Sequence, residues 1–275
     1  MRSLKTPLRY PGGKSRAIIK MARYLPDMKK YKEYREPFLG GGSVALYMTK
    51  TYPHLKVWVN DLYQPLVNFW QQLQDKPDEL TTRLSELKGK YNTHDKARHL
   101  FAESKEFLAY TKASTLESAV SFYIVNKCSF SGLTESSSFS KQASDSNFSL
   151  RGIIKLPAYS VLIQNWTITN LTYERMVTDD KNIFTYFDPP YEIGSNLYGK
   201  KGGMHKSFDH DAFAQECDLH TGHTMISYNS SQLIKERFID WIPNEYDHTY
   251  TMRSVGDYMK NQQERKELVL TNYAI

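Results

Sequence analysis

Five residues at the end of an apolar run carry the strongest chemical signal in the sequence. Phe187-Asp188-Pro189-Pro190-Tyr191 sets an acid, two prolines and an aromatic after NIFTY. Proline fixes φ and has no N–H, so Asp188 and the Pro189 carbonyl form a stiffened acceptor pair beside the flat ring of Tyr191. Such a set suits a planar exocyclic amine of the adenine type; taken alone it also reads as an Asp-Pro-Pro turn. A second constellation is EPFLGGGS, comprising Glu36, Phe38, Gly40, Gly41, Gly42 and Ser43. Glycines let the backbone approach a ligand, and a helix N-terminus favours polar or anionic groups. Asp61 lies 19 residues beyond Gly42, at the end of KVWVND. Nucleoside-binding α/β folds place an acid there to accept from ribose hydroxyls, so the pair favours a bound nucleoside over a purely structural turn.

RYPGGKS, residues 9–15, looks like half of a phosphate-binding loop. The first glycine of G-x-x-x-x-G-K-[ST] would fall at Leu8, so a triphosphate site is not supported. Tyr10, Gly13 and Lys14 remain as an aromatic, a glycine and a cation that call for another ligand. Residues 1–35 hold eleven Lys/Arg against Asp27 and Glu33, a local +9 in a chain of net +6. A basic segment on a nearly neutral body points to a polyanion such as nucleic acid, or to a solvated basic helix. Cys128 and Cys217 stand far apart and fit a reducing cytoplasm. His220-x-x-His223 and His205/His210 have no completing ligands, so no metal is predicted. No apolar run is long enough to span a membrane, and the basic N-terminus lacks an apolar signal core, so export is not expected.

The elements that must position these groups follow from periodicity. SRAIIKMARYLP has helical spacing and stops at Pro26. A short strand leads into the three glycines and an apolar helix, and KVWVND alternates as a strand, completing a βαβ unit. Residues 64–125 are mostly helical in pattern, with Pro65 and Pro77 as breaks. Residues 129–149 hold nine serines and predict an exposed loop or ribbon. NWTITNLTY, NIFTYF, HTMISYN and KELVLTNY read as strands, and Asp209 as the N-cap of a helix. The result is an α/β sheet interrupted by an insertion of about 100 residues.

In this order, RYPGGKS, EPFLGGGS, VWVND and FDPPY resemble the Dam-like family of DNA N6-adenine methyltransferases (alpha-type motif order). NKCSFSGL, ISYNSSQLIKERF and ELVLTNY are similar to further segments of that family, so the likeness covers nearly the whole chain. The resemblance implies a Rossmann-like class I methyltransferase sheet with an inserted, mainly helical target-recognition domain that carries a loop or β-ribbon. Its boundaries would be 1–63 and 160–275 for the catalytic domain and 64–159 for the DNA-binding domain. It implies S-adenosylmethionine as cofactor, held by Tyr10, Gly13, Lys14, Glu36, Phe38, Gly40, Gly41, Gly42, Ser43, Asp61 and Asp188, with Lys14 at its carboxylate. It implies catalysis by Asp188, Pro189, Pro190 and Tyr191 on a flipped adenine of double-stranded DNA, in the cytoplasm of a bacterial or phage-infected cell. DNA contacts fall to Arg9, Asn126, Lys127, Ser131, Glu135 and Arg151; no obligate protein partner and no membrane are implied.

Three positions depart from the family pattern. Leu171-Thr172-Tyr173 stands where Gly-Asp-Phe is frequent, Ser131-Gly132-Leu133 replaces Asn-Gly-Leu, and Glu135 replaces an Arg of members that read GATC. Arginine pairs with guanine, whereas glutamate accepts from cytosine, so GATC is not expected as the target. The change at Thr172 leaves a competing reading, a degenerate member that binds DNA without methylating it. RNA or cytosine N4 is a lesser alternative; Asp188 is the adenine-like choice.

Overall fold

Apolar strands that alternate with helices produce one mixed sheet. The computed structural model describes residues 5–111, 113–132, 137–191, 208–247 and 266–275. Its strands are β1 (Glu33–Glu36), β2 (Lys56–Asn60), β3 (Trp166–Thr169), β4 (Ile183–Phe187), β5 (His223–Asn229), β6 (Ile242–Asp247) and β7 (Lys266–Thr271). Their spatial order is β3-β2-β1-β4-β5-β7-β6. The first five run parallel, and β7 runs antiparallel between β5 and β6. β4 is buried along its whole length, as expected of a parallel strand covered on both faces. The order reverses between β1 and β4, the switch point at which α/β sheets bind ligands at the carboxyl ends of their strands.

Two layers of helices cover the sheet. On one face lie α1 (Ala17–Met21), α2 (Ser43–Thr51) and α3 (Gln64–Asp75), together with α9 (Leu156–Ile163) and the helices between α3 and α9. On the other, α10 (His210–Leu219) and α11 (Gln232–Arg237) bury Phe213, Cys217 and Ile234 against Phe187, Ile226 and Leu268. Asp209 caps α10 as predicted, accepting from the Asp211 and Ala212 N–H groups.

The insertion between β2 and β3 is helical: α4 (Pro77–Lys90), α5 (His94–Tyr110), α6 (Leu116–Cys128), α7 (Lys141–Ser146) and α8 (Leu150–Ile153). Pro65 and Pro77 stand in the first turns of α3 and α4, where a missing N–H costs nothing. Leu84, Phe101 and Phe122 share one core with Val57 and Ile168 of the sheet. The predicted boundary at 159/160 falls inside α9, and α3 belongs to the sheet layer. Its Gln71 and Gln74 side chains donate to the Ile168 and Trp166 carbonyls at 3.0 and 2.9 Å.

The serine-rich stretch, expected as a loop or ribbon, is part ribbon and part helix. Its described part holds one antiparallel bridge, Ser129–Phe139, followed by α7, and it ends at the cap of α8. Ser140 and Ser149 accept from the Ala143 and Gly152 N–H groups and so cap those helices, the use to which serine is well suited. The basic N-terminal segment is divided. The Lys32 N–H donates to the Asn182 carbonyl and its own carbonyl accepts from Lys56, both just ahead of strands. Lys29, Lys30 and Lys32 therefore sit at the sheet edge opposite Asp188, and Arg35 pairs with Glu33 at 2.6 Å.

Candidate functional site

Three adjacent strands deliver the chemistry to one edge. β1 ends at the glycine turn, β2 on its one side ends at Asp61, and β4 on its other side ends at Asp188. Gly40 and Gly42 have φ of +49° and +70°, in the left-handed region that favours glycine. Space also demands glycine here. A Cβ on Gly40 would lie 3.0 Å from the Tyr10 ring, and one on Gly42 would lie 2.7 Å from the Trp70 ring. The turn is thus closed from above by the N-terminal segment, whose Thr6 hydroxyl donates to the Gly41 carbonyl. Ser43, first in α2, shares a hydrogen bond with Ser15 at 2.9 Å.

Asp61 is buried and accepts from the Gly40 N–H on one oxygen and the Tyr63 N–H on the other, both at 2.9 Å. Burial nevertheless prevails over those donors and pushes its pKa up to about 6. Glu36 is 2% exposed and accepts from the Tyr34 hydroxyl at 2.6 Å. Burial drives it well above the ordinary carboxylate range, against the bond from Tyr34, and the nearby Asp188 charge adds to the rise. Phe38 stacks on Tyr173 at 5.6 Å, next to Phe208 and Phe213.

Asp188 is the meeting point. The Lys14 ammonium, 2% exposed, donates to both its oxygens at 2.7 and 2.8 Å and to the Gly12 carbonyl at 3.0 Å. The cation predicted for a cofactor carboxylate thus sits on the acid of the Asp-Pro-Pro-Tyr motif. It also lies 4.7 Å from the centre of the Tyr191 ring. Tyr191 in turn donates its hydroxyl to Glu267 at 2.7 Å. Pro189 is buried and Pro190 partly so.

The residues expected at DNA part company. The Asn126 side chain is wholly buried and clasps the Arg9 backbone, accepting from its N–H at 2.9 Å and donating to its carbonyl at 2.6 Å. Asn126 is therefore a brace between the N-terminal segment and α6, not a surface group. Gly132, with φ +74°, completes the clasp, since a Cβ there would lie 2.7 Å from the Arg9 carbonyl oxygen. The Arg9 guanidinium donates to the Ser129 carbonyl at 2.7 Å. Lys127 is 9% exposed with its ammonium 5.4 Å from the Tyr123 ring centre. Burial and then Arg9 pull its pKa down to about 8. Ser131 falls in the short turn 130–132 and Arg151 is exposed on α8. Glu135 lies outside the described residues, as does His205.

This arrangement suits a nucleoside-bearing cofactor. A backbone cradle that side chains would fill, a buried carboxylate at the next strand and a buried cation beside the acceptor pair are what such a ligand requires. Residues 10–254 match the family model described as D12 class N6 adenine-specific DNA methyltransferase. The chain belongs to that family. It is an adenine-specific DNA methyltransferase that uses S-adenosylmethionine as methyl donor. It is similar to the type II methyltransferase M.MjaIII of Methanocaldococcus jannaschii, 26% identical over 69% of this chain and 70% of that one. It is also similar to the type II methyltransferase M1.LlaDCHI of Lactococcus lactis subsp. cremoris, 24% identical over 98% of this chain and 96% of that one. The mixed seven-strand sheet is the Rossmann-like fold the sequence resemblance implied. Among the described residues, no helix of the methyltransferase is long and apolar enough to cross a membrane, and no three potential metal ligands cluster.

Several site residues escaped the sequence reading. Trp70, Glu267, Tyr34, Ser227 and Tyr186 lie on segments that the sequence marks only as helix or strand. Ser227 had a signal: it is the polar residue within the apolar run MISY of β5. It stands one step beyond the Phe187–Ile226 pairing, level with Asp188.

Proposed function

We propose that Asp188 and the Pro189 carbonyl accept the two N6–H bonds of an adenine extruded from double-stranded DNA, with Tyr191 stacked on the base. The observation that carries this reading is the Asp188 carboxylate held by buried Lys14 at the edge where β1, β2 and β4 end. The amine is a poor nucleophile because its lone pair is delocalised into the ring. Acceptance of both N6–H bonds favours a tetrahedral nitrogen whose lone pair is free. Asp188 is also the nearest base for the proton that nitrogen sheds. Pro189 and Pro190 stiffen the backbone that carries the Pro189 carbonyl and so fix its aim at the base.

S-adenosylmethionine, when bound, supplies an electrophilic methyl group on its sulfonium. Asp61 accepts from the ribose hydroxyls, the Gly40–Gly42 turn lets the backbone approach, and Tyr10 closes the site from above. Phe38 and Tyr173 offer an apolar wall. Transfer then depends on positioning rather than on strong acid or base catalysis.

The helical insertion, expected over 64–159 from the sequence, reads the target together with the Arg9 segment. The type II designation of both relatives supports a place in a restriction–modification system, and hence the cytoplasm. The test is Asp188→Ala. It should abolish methyl transfer with the fold intact and most DNA affinity retained, since phosphate contacts dominate affinity. A variant that methylates near the wild-type rate overturns the assignment.

A further inference from the structure

We infer that Ser227, backed by Tyr186, is a positioning residue that fixes which oxygen of Asp188 meets the target amine. The inference rests on the assignment of Asp188 to catalysis. The Ser227 hydroxyl donates to Asp188 Oδ1 at 2.8 Å, and the Tyr186 hydroxyl lies 2.8 Å from Ser227 Oγ. Both side chains are fully buried. An ionised carboxylate offers no proton, so Ser227 must donate to it. Its oxygen is then the acceptor for the Tyr186 O–H. The direction of the relay is therefore forced: Tyr186 to Ser227 to Asp188 Oδ1. Successive hydrogen bonds of this kind polarise and strengthen one another.

The relay makes the two carboxylate oxygens unequal. Among the described residues, Oδ1 accepts from both Lys14 and Ser227, whereas Oδ2 accepts from Lys14 alone. A carboxylate oxygen takes about two hydrogen bonds, so Oδ1 is filled and Oδ2 keeps a lone pair for N6–H. Lys14 by itself holds both oxygens symmetrically and cannot make that choice. With the backbone stiffened by Pro189 and Pro190, rotation of the carboxylate is the motion left to restrain, and Ser227 restrains it. A rotated carboxylate still binds the base but aims the nitrogen lone pair away from the line of transfer.

The test is a double-mutant cycle on the full-length enzyme with duplex DNA. Ser227→Ala should lower kcat about tenfold, as expected for one hydrogen bond to a charged group. KM for DNA and cofactor affinity should stay within about twofold of wild type. The fluorescence of 2-aminopurine at the target position, which reports base extrusion, should be unchanged. Ser227→Thr, which keeps the hydroxyl, should restore kcat. Tyr186→Phe should lower kcat by a smaller factor, and Ser227→Ala/Tyr186→Phe should be no slower than Ser227→Ala, because both remove the same relay. Unchanged kcat in Ser227→Ala, failure of the threonine to rescue, or a double variant slower by the product of the single losses would each overturn the inference. If Ser227→Ala does not fold, Tyr186→Phe carries the test, and a wild-type kcat there overturns it. An active Asp188→Ala enzyme would sink the catalytic assignment itself, whereas an inactive one beside a fully active Ser227→Ala would sink only the relay.

Discussion

Asp61 should make both stability and cofactor affinity depend on pH, in opposite senses. In the folded protein burial raises its pKa to about 6, whereas in an unfolded chain an aspartate titrates near ~3.9. Between those values the native state holds a proton that the unfolded state has lost. Stability contributed by this group therefore falls as pH rises from about 4 to about 6, and the full cost is present above that window. Two units at about 1.4 kcal/mol each give roughly 3 kcal/mol. Asp61→Asn has no such titration, while Glu36 and every other group are common to both proteins and cancel. Urea denaturation of both, at pH 4 and pH 7, should show wild type losing about 3 kcal/mol relative to the variant. Cofactor binding should run the other way. Ribose hydroxyls donate, so the ionised carboxylate is the binding form, and wild-type affinity should strengthen about tenfold between pH 5 and pH 7. The same titration in Asp61→Asn should be flat and weaker throughout. A stability difference that does not change with pH would refute the raised pKa. Parallel affinity profiles for the two proteins would remove Asp61 from the ribose.

Gly42→Ala should destabilise the protein by about 2–4 kcal/mol, because φ of +70° and the Trp70 ring at 2.7 Å oppose a Cβ together; a shifted tryptophan emission maximum should accompany the loss in thermal melts. Asn126→Ala should cost about 2–4 kcal/mol in urea denaturation, since it strands the Arg9 N–H and carbonyl in a buried clasp. Arg9→Ala should weaken binding to the recognition site by about 1–3 kcal/mol more than binding to random DNA if the guanidinium reads a guanine. A pure phosphate contact would weaken both alike and lower the salt slope by about one, which titrations at two salt concentrations distinguish.

The parts of the fold and site legible in the sequence are those whose chemistry is local. Asp-Pro-Pro-Tyr, the three glycines and the acid after β2 carry their meaning in adjacent residues, and β1 to β5 and β7 announce themselves as short apolar or alternating runs. β6 did not: IPNEYD holds a proline and three polar residues, which an edge strand tolerates and a periodicity search passes over. The serines of 129–149 suggested a loop because composition does not say which of them cap helices. Asn126, expected at DNA, is instead taken up by the backbone of Arg9, which is distant in sequence. The bond between Lys14 and Asp188 likewise spans 174 residues, and no spacing rule reaches that far.

The central claim is that the Asp188 carboxylate accepts from the adenine amine at the C-terminal edge of β4. Its most direct test is single-turnover methyl transfer to duplex DNA by wild type and Asp188→Asn, with the product digested to nucleosides and identified by mass spectrometry. Wild type should form N6-methyladenine, and the variant, whose amide is no longer a carboxylate acceptor, should do so at a rate at least ~10²-fold lower. Transfer to cytosine by wild type, or N6-methyladenine formed by Asp188→Asn at the wild-type rate, would contradict the claim.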